Sequence, residues 1–176
     1  MIVNIRDITS GLPGITSVTG EHLYEGCIVC LARQNHSSKG TKLLVSGDVT
    51  KNITLVWTDI YTEQLERTWA DQFYATEHGA VCIAILLALK LTNYTVIEKS
   101  ARKNGFDYWL GNKDDMLFQH KARLEISGIF EGGGKEINRR YTIKLQQTNL
   151  SDSSGLPAYI GIVEFSRPTA KFGEKR

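Results

Sequence analysis

The sequence lacks several features that would place it in a familiar class. It has no run of about 18 apolar residues of the kind that spans a membrane, so no membrane partner is expected. The segment from Met1 to Thr9 lacks the apolar stretch of a secretory signal, which predicts a cytoplasmic protein. The zinc motif HExxH, the nucleotide loops GxGxxG and GxxxxGK[ST], and a serine-nucleophile elbow are also missing. No enzyme class defined by those motifs is therefore indicated.

Cysteine is scarce and its number is odd. The three residues are Cys27, Cys30 and Cys82, a set that argues against a disulfide framework and for a reducing compartment. Cys27 and Cys30 have the CxxC spacing of zinc and redox sites, but no second Cys or Cys/His pair completes a four-ligand site. Packing inside a strand from Leu23 to Ala32 is the preferred interpretation.

The composition is that of a globular protein with one substantial core. The chain has 176 residues, of which 41% are hydrophobic and 23% charged. A net charge of +2 is too small to identify a nucleic-acid-binding protein. Residues 71–176 nevertheless carry 15 basic against 12 acidic residues, which weakly favours an anionic partner.

The sequence pattern divides the chain at about residue 61. Residues 1–61 are predicted to form a β-rich segment, with an antiparallel meander of three strands. These strands are Leu23 to Ala32, Thr41 to Gly47 and Asn52 to Thr58. The role of this segment is open: it supports the core, recognises substrate or forms a dimer interface.

Residues 62–176 are predicted to form an α/β (α+β) core in the order helix, three strands, helix, strand. Apolar residues recur every three or four positions from Thr62 to Lys90, with a break near Tyr74 to Thr76, and the part after Ala80 is apolar almost all round. The strands that follow are Tyr94 to Lys99, Gly105 to Leu110, Ala122 to Phe130 and, after a basic helix from Lys135 to Thr148, Ala158 to Phe165. These four strands are expected in one mixed sheet, with the apolar helix packed on it.

Three acidic residues stand out against this apolar background. Glu77 is at the head of the apolar helix, Asp107 lies in Gly105 to Leu110, and Glu125 lies among aliphatic residues of the next strand. Burying a carboxylate is costly unless it is paired, hydrogen-bonded or bound to a cation. Because side chains alternate along strands, neighbouring hairpin strands can place Asp107 and Glu125 side by side, where Mg²⁺ or Mn²⁺ would relieve their repulsion.

This order of elements and acids resembles the PD-(D/E)XK, or restriction-endonuclease-like, nuclease superfamily over roughly residues 62–166. In that superfamily, acids come from the first helix, the second strand and a Glu-x-Lys of the third strand, which correspond to Glu77, Asp107 and Glu125. The resemblance implies hydrolysis of DNA phosphodiester bonds with Mg²⁺ or Mn²⁺ held by these acids. It also implies a restriction, repair or defence role, and a homodimer or partner protein for cutting both strands.

The chain departs from the superfamily at one position, because Ser127 stands where the lysine usually lies. Members of the superfamily can supply that group from elsewhere. The candidates in this sequence are Lys121, four residues before Glu125 on the same strand face, and Lys144 on the following helix, with Gln146 or Gln147 as further options.

Each acidic residue also has a structural interpretation. Glu77 can stabilise a helix N-terminus, Asp107 can pair with Arg123 of the neighbouring strand, and Glu125 can be a cross-strand charge partner. A protein that keeps this fold without the chemistry, as an interaction or regulatory module, is therefore the main alternative. An α+β small-molecule-binding protein is a third.

The predicted basic helix carries candidate phosphate contacts. Arg140 and Lys144 share a face with Glu136, and Arg139 lies beside it. A solvated helix face is the simplest interpretation. The functional interpretation is that Arg139, Arg140 and Lys144 contact nucleic-acid phosphates next to the acidic site.

Overall fold

The computed structural model describes residues 1–175; Arg176, the last residue of the predicted core, lies outside them. One eight-stranded mixed sheet runs through the protein in the order β1-β3-β2-β8-β7-β6-β5-β4. The strands are β1 Ile2–Asn4, β2 Thr41–Gly47, β3 Lys51–Val56, β4 Tyr94–Lys99, β5 Tyr108–Asn112, β6 Ala122–Ile129, β7 Ala158–Glu164 and β8 Thr169–Glu174. The α-helices are α1 Ser17–Arg33, α2 Glu63–Thr68, α3 Gln72–Leu91 and α4 Gly134–Gln147, and the 3-10 helices are Ile5–Ser10 and Thr148–Ser154. The predicted mixed α/β class is confirmed.

The prediction of a strand from Leu23 to Ala32 is wrong, because these residues belong to α1. The helix begins after Thr16, whose side chain accepts a hydrogen bond from the Thr19 amide at 3.2 Å. Its middle is buried without interruption from Gly26 to Leu31, so it shows neither helical nor strand periodicity. Cys27 and Cys30 are therefore buried free thiols of a helix, and burial raises the pKa of Cys30 to about 12.

The other two N-terminal strands form the predicted antiparallel pair. β2 and β3 pair from Thr41 opposite Leu55 to Val45 opposite Lys51. The N-terminal strands belong to the same sheet as the rest of the chain, because β2 also pairs in parallel with β8. The sequence patterns did not predict β8.

Helix α3 is the central core helix. It packs on the sheet, which confirms the prediction made for the apolar helix. Small residues allow it to approach closely: a Cβ at Gly128 of β6 would lie 2.5 Å from the Thr76 carbonyl oxygen, and one at Gly161 of β7 would lie 3.1 Å from Ala84. By length and composition α3 could cross a membrane, but 61% of that apolar stretch is buried inside the fold. It therefore has the character of the core helix of a soluble protein.

The strands after α3 have the predicted connections. β4, β5 and β6 are antiparallel neighbours, and α4 then connects β6 to β7, which runs parallel to β6. Helices α1 and α3 pack with Leu124 and Ile126 on one face of the sheet, whereas Ile137 of α4 packs with Ile160 and Ile162 on the other. Odd-numbered residues of β6, including Glu125, therefore face α4.

Candidate functional site

The candidate site lies where β5 separates from β6. The two strands pair only from Leu110 opposite Ala122 to Tyr108 opposite Leu124. Asp107, immediately before β5, donates its backbone amide to the Leu124 carbonyl at 2.8 Å and accepts the Ile126 amide on its Oδ2 at 2.9 Å. Its carboxylate thus takes the place of the missing strand partner. The open edge beyond this point can be reached from both faces of the sheet.

Glu125 projects from β6 toward α4 and is 1% exposed. Its Oε1 accepts hydrogen bonds from Lys144 Nζ at 2.6 Å and from Gln147 Nε2 at 3.0 Å. Its Oε2 is buried and has no hydrogen-bond partner. Half of this carboxylate is therefore left without the compensation that a buried charge requires.

The environment of Glu125 changes its acidity. Burial and then the neighbouring Asp107 charge raise the pKa of Glu125 from about 4.5 to about 7, although Lys144 opposes the shift. A side-chain hydrogen bond with Asp107 raises this pKa further. Because that bond requires a proton on one of the two carboxyl groups, Oε2 is without a partner only while both acids are ionised. The two acids predicted to lie side by side therefore interact in the structure.

Glu164 of β7 shows how a buried glutamate is satisfied when its role is structural. It is also 1% exposed, but both its oxygens accept hydrogen bonds. Oε1 accepts from the Gly132 and Ser166 amides and the Ser166 hydroxyl, and Oε2 accepts from the Arg167 amide at 2.9 Å. The unsatisfied oxygen of Glu125 is thus not a general consequence of burying a glutamate in this sheet.

A cavity of about 330 Å³ opens at this edge and brings groups from both faces together. Asp107 and Ser127 line it from the sheet, and Arg140 and Lys144 from α4. Arg140 donates to the Ser127 hydroxyl at 3.1 Å. The Ser127 hydroxyl therefore helps to hold Arg140 at the wall of the cavity.

Glu77 reaches the same cavity from α3, on the opposite face of the sheet. It is exposed, one turn after Phe73 and directly after Thr76, which contacts Gly128. Lys99, which sequence reasoning missed, also lines the cavity; its Nζ lies 3.6 Å from Asp107 Oδ1 and 4.1 Å from the centre of the Tyr108 ring. The only feature of the sequence that could have indicated Lys99 as a site residue is its position at the end of β4, next to the strand predicted to carry Asp107.

Three predicted residues do not line this cavity. Glu125 lines an adjoining cavity with Lys99, Asp107 and Gln147. Lys121 precedes β6 and bonds Gln119 Oε1 at 2.8 Å; four residues of strand place it about 13 Å from Glu125 along the chain. Arg139 is exposed on α4 and pairs with Glu136 at 2.9 Å. The structure therefore does not bring Lys121 or Arg139 to the two acids.

The suggested pairing of Asp107 with Arg123 is wrong, because the two side chains have different partners. Arg123 lies on the α4 face of β6, and its side chain is 4% exposed. It donates to the Thr148 and Leu156 carbonyls at 3.1 and 2.6 Å and pairs with Asp152 at 3.3 Å. Arg123 thus fixes the 3-10 helix that follows α4, and with it the end of α4 that carries Lys144 and Gln147.

Replacement of Arg123 by Met is expected to lower the free energy of unfolding by about 2–3 kcal/mol, because the Thr148 and Leu156 carbonyls each lose a hydrogen-bond donor. Loss of the ion pair with Asp152 contributes less to this destabilisation, because Asp152 is half-exposed and keeps Lys175 as a partner. Chemical denaturation measures the difference. Lys121→Met, two residues earlier in the chain, is the control and should change stability by less than about 0.5 kcal/mol. Equal effects of the two substitutions would contradict this assignment.

Aromatic rings and histidines form a cluster at the other end of the cavity, which sequence reasoning also missed. His22 of α1 contacts Trp69, Tyr74 and His78, with ring centres 4.6, 5.9 and 4.9 Å apart. Tyr74 and His78, one turn apart on α3, have ring centres 4.0 Å apart. Burial, and then the neighbouring His78, lower the pKa of His22. His22 is far in sequence from Trp69, Tyr74 and His78, so no local motif indicates the cluster.

The residues present fit a divalent cation in part. Asp107 and Glu125 supply carboxylate oxygens, which Mg²⁺ and Mn²⁺ prefer, and the unpartnered Oε2 of Glu125 is an acceptor that a cation would satisfy. Within residues 1–175, no group of three or more His, Cys, Asp or Glu side chains is arranged to hold an ion. Asp107 and Glu125 are therefore the two carboxylates that could contribute ligands, and Glu77 lies on the cavity wall.

Comparison of the sequence with protein-family models found no match. Comparisons with curated proteins and with solved structures found no match either. Function is therefore inferred from the site.

Proposed function

We propose that the protein is a metal-dependent nuclease with a restriction-endonuclease-like core that hydrolyses phosphodiester bonds in DNA. The observation that carries this proposal is the Glu125 carboxylate, which is buried beside Asp107 with one oxygen unpartnered. A purely structural glutamate has no need of such an arrangement, as Glu164 shows.

The topology supports the same proposal. Helix α3, strands β4 to β6, helix α4 and strand β7 follow in the order expected of that core, and β7 runs parallel to β6. Asp107 precedes the second strand of this unit and Glu125 lies on the third. This order supports matching Asp107 and Glu125 to the acids of the second and third strands in that superfamily, although Asp107 stands one residue before its strand.

Asp107 and Glu125 would hold Mg²⁺ or Mn²⁺. When bound, such an ion lowers the pKa of a coordinated water and neutralises charge on a phosphoryl oxygen. Lys144 orients Glu125 through its 2.6 Å contact and presents a positive charge to the cavity. Arg140 and Lys99 add two further cations to the wall, where they attract a phosphate. Glu77 lies where it can accept a proton from water near the phosphate.

The proposal extends to the biological setting. We place the protein in the cytoplasm, in restriction, repair or defence against foreign DNA, and propose a homodimer if both strands of a duplex are cut. Arg139, exposed outside the cavity, is then available to contact a more distant phosphate.

Two observations favour a second function, a catalytically inactive interaction module. Lys144 already forms an ion pair with Glu125 at 2.6 Å, and Ser127 stands in the place of the usual lysine. A lysine can replace a cation as the partner of a buried carboxylate. In that case the site would be a structural ion pair retained by an inactive fold.

Cleavage assays separate the two functions. Purified protein is incubated with plasmid and with single-stranded DNA in Mg²⁺, in Mn²⁺ and in EDTA. The nuclease proposal predicts products in Mg²⁺ or Mn²⁺ and none in EDTA. Absence of cleavage, together with no shift of the melting temperature on adding Mn²⁺, would favour the inactive module.

A further inference from the structure

The cavity joins two surfaces of different chemistry. At one end are Asp107 and the three cations Lys99, Arg140 and Lys144, and Glu125 lines an adjoining cavity that also includes Asp107. At the other end His22, Phe73 and His78 line it, and the rings of Trp69 and Tyr74 lie behind the histidines. A ligand that fills the cavity therefore meets charge at one end and ring faces at the other.

Phe73 is a highly exposed member of this wall. Its exposure is 70%, although large aromatic side chains at the start of a core helix are usually covered. It lies in the first turn of α3, one turn before Glu77, so the two side chains are on the same helix face. Phe73 is therefore displayed beside the acidic site.

The ring cluster behind Phe73 is built rigidly. Trp69 is 2% exposed and donates its indole N–H to Glu25 at 3.0 Å. His22 Nε2 lies 3.1 Å from the Tyr74 hydroxyl, and His78 Nδ1 lies 2.8 Å from the Tyr74 backbone carbonyl oxygen. Packed rings held by hydrogen bonds form a fixed part of the cavity wall that includes Phe73, so this part needs little ordering when a ligand binds.

We propose that the natural ligand of the cavity is single-stranded nucleic acid, with an unpaired base stacked on the Phe73 end and its phosphate at Lys99, Arg140 and Lys144. This inference rests on the proposed nuclease function and names its substrate class. Aromatic faces next to cations are the combination that binds single strands. A base in a duplex is covered by its neighbours on both faces, so only an unstacked base can enter such a cavity. A single-stranded substrate also requires one active site rather than two.

Binding measured apart from cleavage tests the inference. A labelled oligodeoxythymidine, and the same strand in a duplex with oligodeoxyadenosine, are titrated with protein in EDTA and again in Ca²⁺, with fluorescence anisotropy as the readout. The single strand is expected to bind at least about 5-fold more tightly than the duplex. Phe73→Ala is expected to weaken single-strand binding by about 5- to 150-fold and to leave duplex binding unchanged.

Two further variants show whether the ring face is responsible. Phe73→Trp keeps an aromatic face and should preserve binding, whereas Phe73→Leu keeps an apolar side chain and should not. Phe118→Ala is the matched control, because Phe118 is 53% exposed and lies on the β5–β6 loop, away from the cavity. Since Phe73 is exposed, these variants should retain the wild-type melting temperature.

The outcomes distinguish this inference from the nuclease proposal. Binding of the duplex as tight as that of the single strand, or equal losses in Phe73→Ala and Phe118→Ala, would overturn the inference. If wild type and Phe73→Ala cleave duplex DNA equally well, the nuclease proposal stands and the inference fails. Phe73-dependent binding of the single strand without cleavage in Mg²⁺ or Mn²⁺ supports the ligand class and contradicts the nuclease.

Discussion

Asp107→Asn and Glu125→Gln are each expected to reduce Mg²⁺-dependent DNA cleavage by about 10²- to 10³-fold, the loss typical when a group that stabilises transition-state charge is removed. Both substitutions keep the shape of the side chain and remove its negative charge. An Asn at position 107 can still accept the Ile126 amide through its side-chain oxygen, so the connection between the start of β5 and β6 is retained. The loss should therefore be one of chemistry and not of folding. Rates of plasmid cleavage, with circular dichroism as the check on folding, measure it.

Glu164→Gln is the matched control for this experiment. Glu164 is as buried as Glu125, but its oxygens are already used by Gly132, Ser166 and Arg167. Its substitution should lower the melting temperature and leave the cleavage rate of the folded protein within a few-fold of wild type. Cleavage that persists in both Asp107→Asn and Glu125→Gln would point to a contaminating nuclease or to other active residues.

Lys144→Met addresses the inactive alternative with the same assay. In the nuclease, Lys144 orients Glu125 and meets the phosphate, so its loss should slow cleavage. In an inactive module, Lys144 only compensates a buried charge, so its loss should destabilise the protein without any metal-linked effect. The response to Mn²⁺ therefore distinguishes a catalytic from a purely structural role of the contact between Lys144 and Glu125.

The strands around the site could be predicted because their patterns are local. Val, Ile, Leu and aromatic residues between polar turns are enough to place β4, β6 and β7 within about one residue. Residue alternation in β6 and the hairpin order of β5 and β6 then predicted that Asp107 and Glu125 would be neighbours. The structure places Asp107 one residue before β5, where its side chain replaces a strand partner, and this detail is not visible in the sequence.

Features that depend on distant parts of the chain could not be predicted. Helix α1 was interpreted as a strand because it is buried on several sides by α3 and by the first 3-10 helix, which removes its periodicity. Lys144 was one of several candidates to supply the lysine that Ser127 replaces, and its contact with Glu125 depends on the path of α4 across the sheet. Trp69 and His22 meet because Gly26 lets the indole pack against α1, with a Cβ there only 3.0 Å from the ring. Such contacts depend on how distant segments pack, so no regular spacing of residues in the sequence indicates them.

The largest stability effect is expected in the dependence on pH of the metal-free protein. Folding raises the pKa of Glu125 from about 4.5 to about 7, so the folded state holds a proton that the unfolded state has already lost. Stabilisation from this group is therefore complete below about pH 4.5 and is lost as the pH rises through 7. At 1.36 kcal/mol for each pKa unit, the loss is on the order of 3 kcal/mol. Chemical denaturation in EDTA between pH 5 and 8 should show this fall relative to Glu125→Gln, which cannot titrate.

Two perturbations then identify the groups that act on Glu125. Lys144 lowers the pKa of this glutamate, so Lys144→Met should move the fall in stability to higher pH. A bound cation competes with the proton for the same carboxylate, so the rise in melting temperature caused by Mn²⁺ should increase as the pH passes 7. A stability profile identical in wild type and Glu125→Gln would show that Glu125 is ionised throughout this range. An increase with pH in the effect of Mn²⁺ that is absent from Glu125→Gln would instead place the proton and the metal at the same carboxylate.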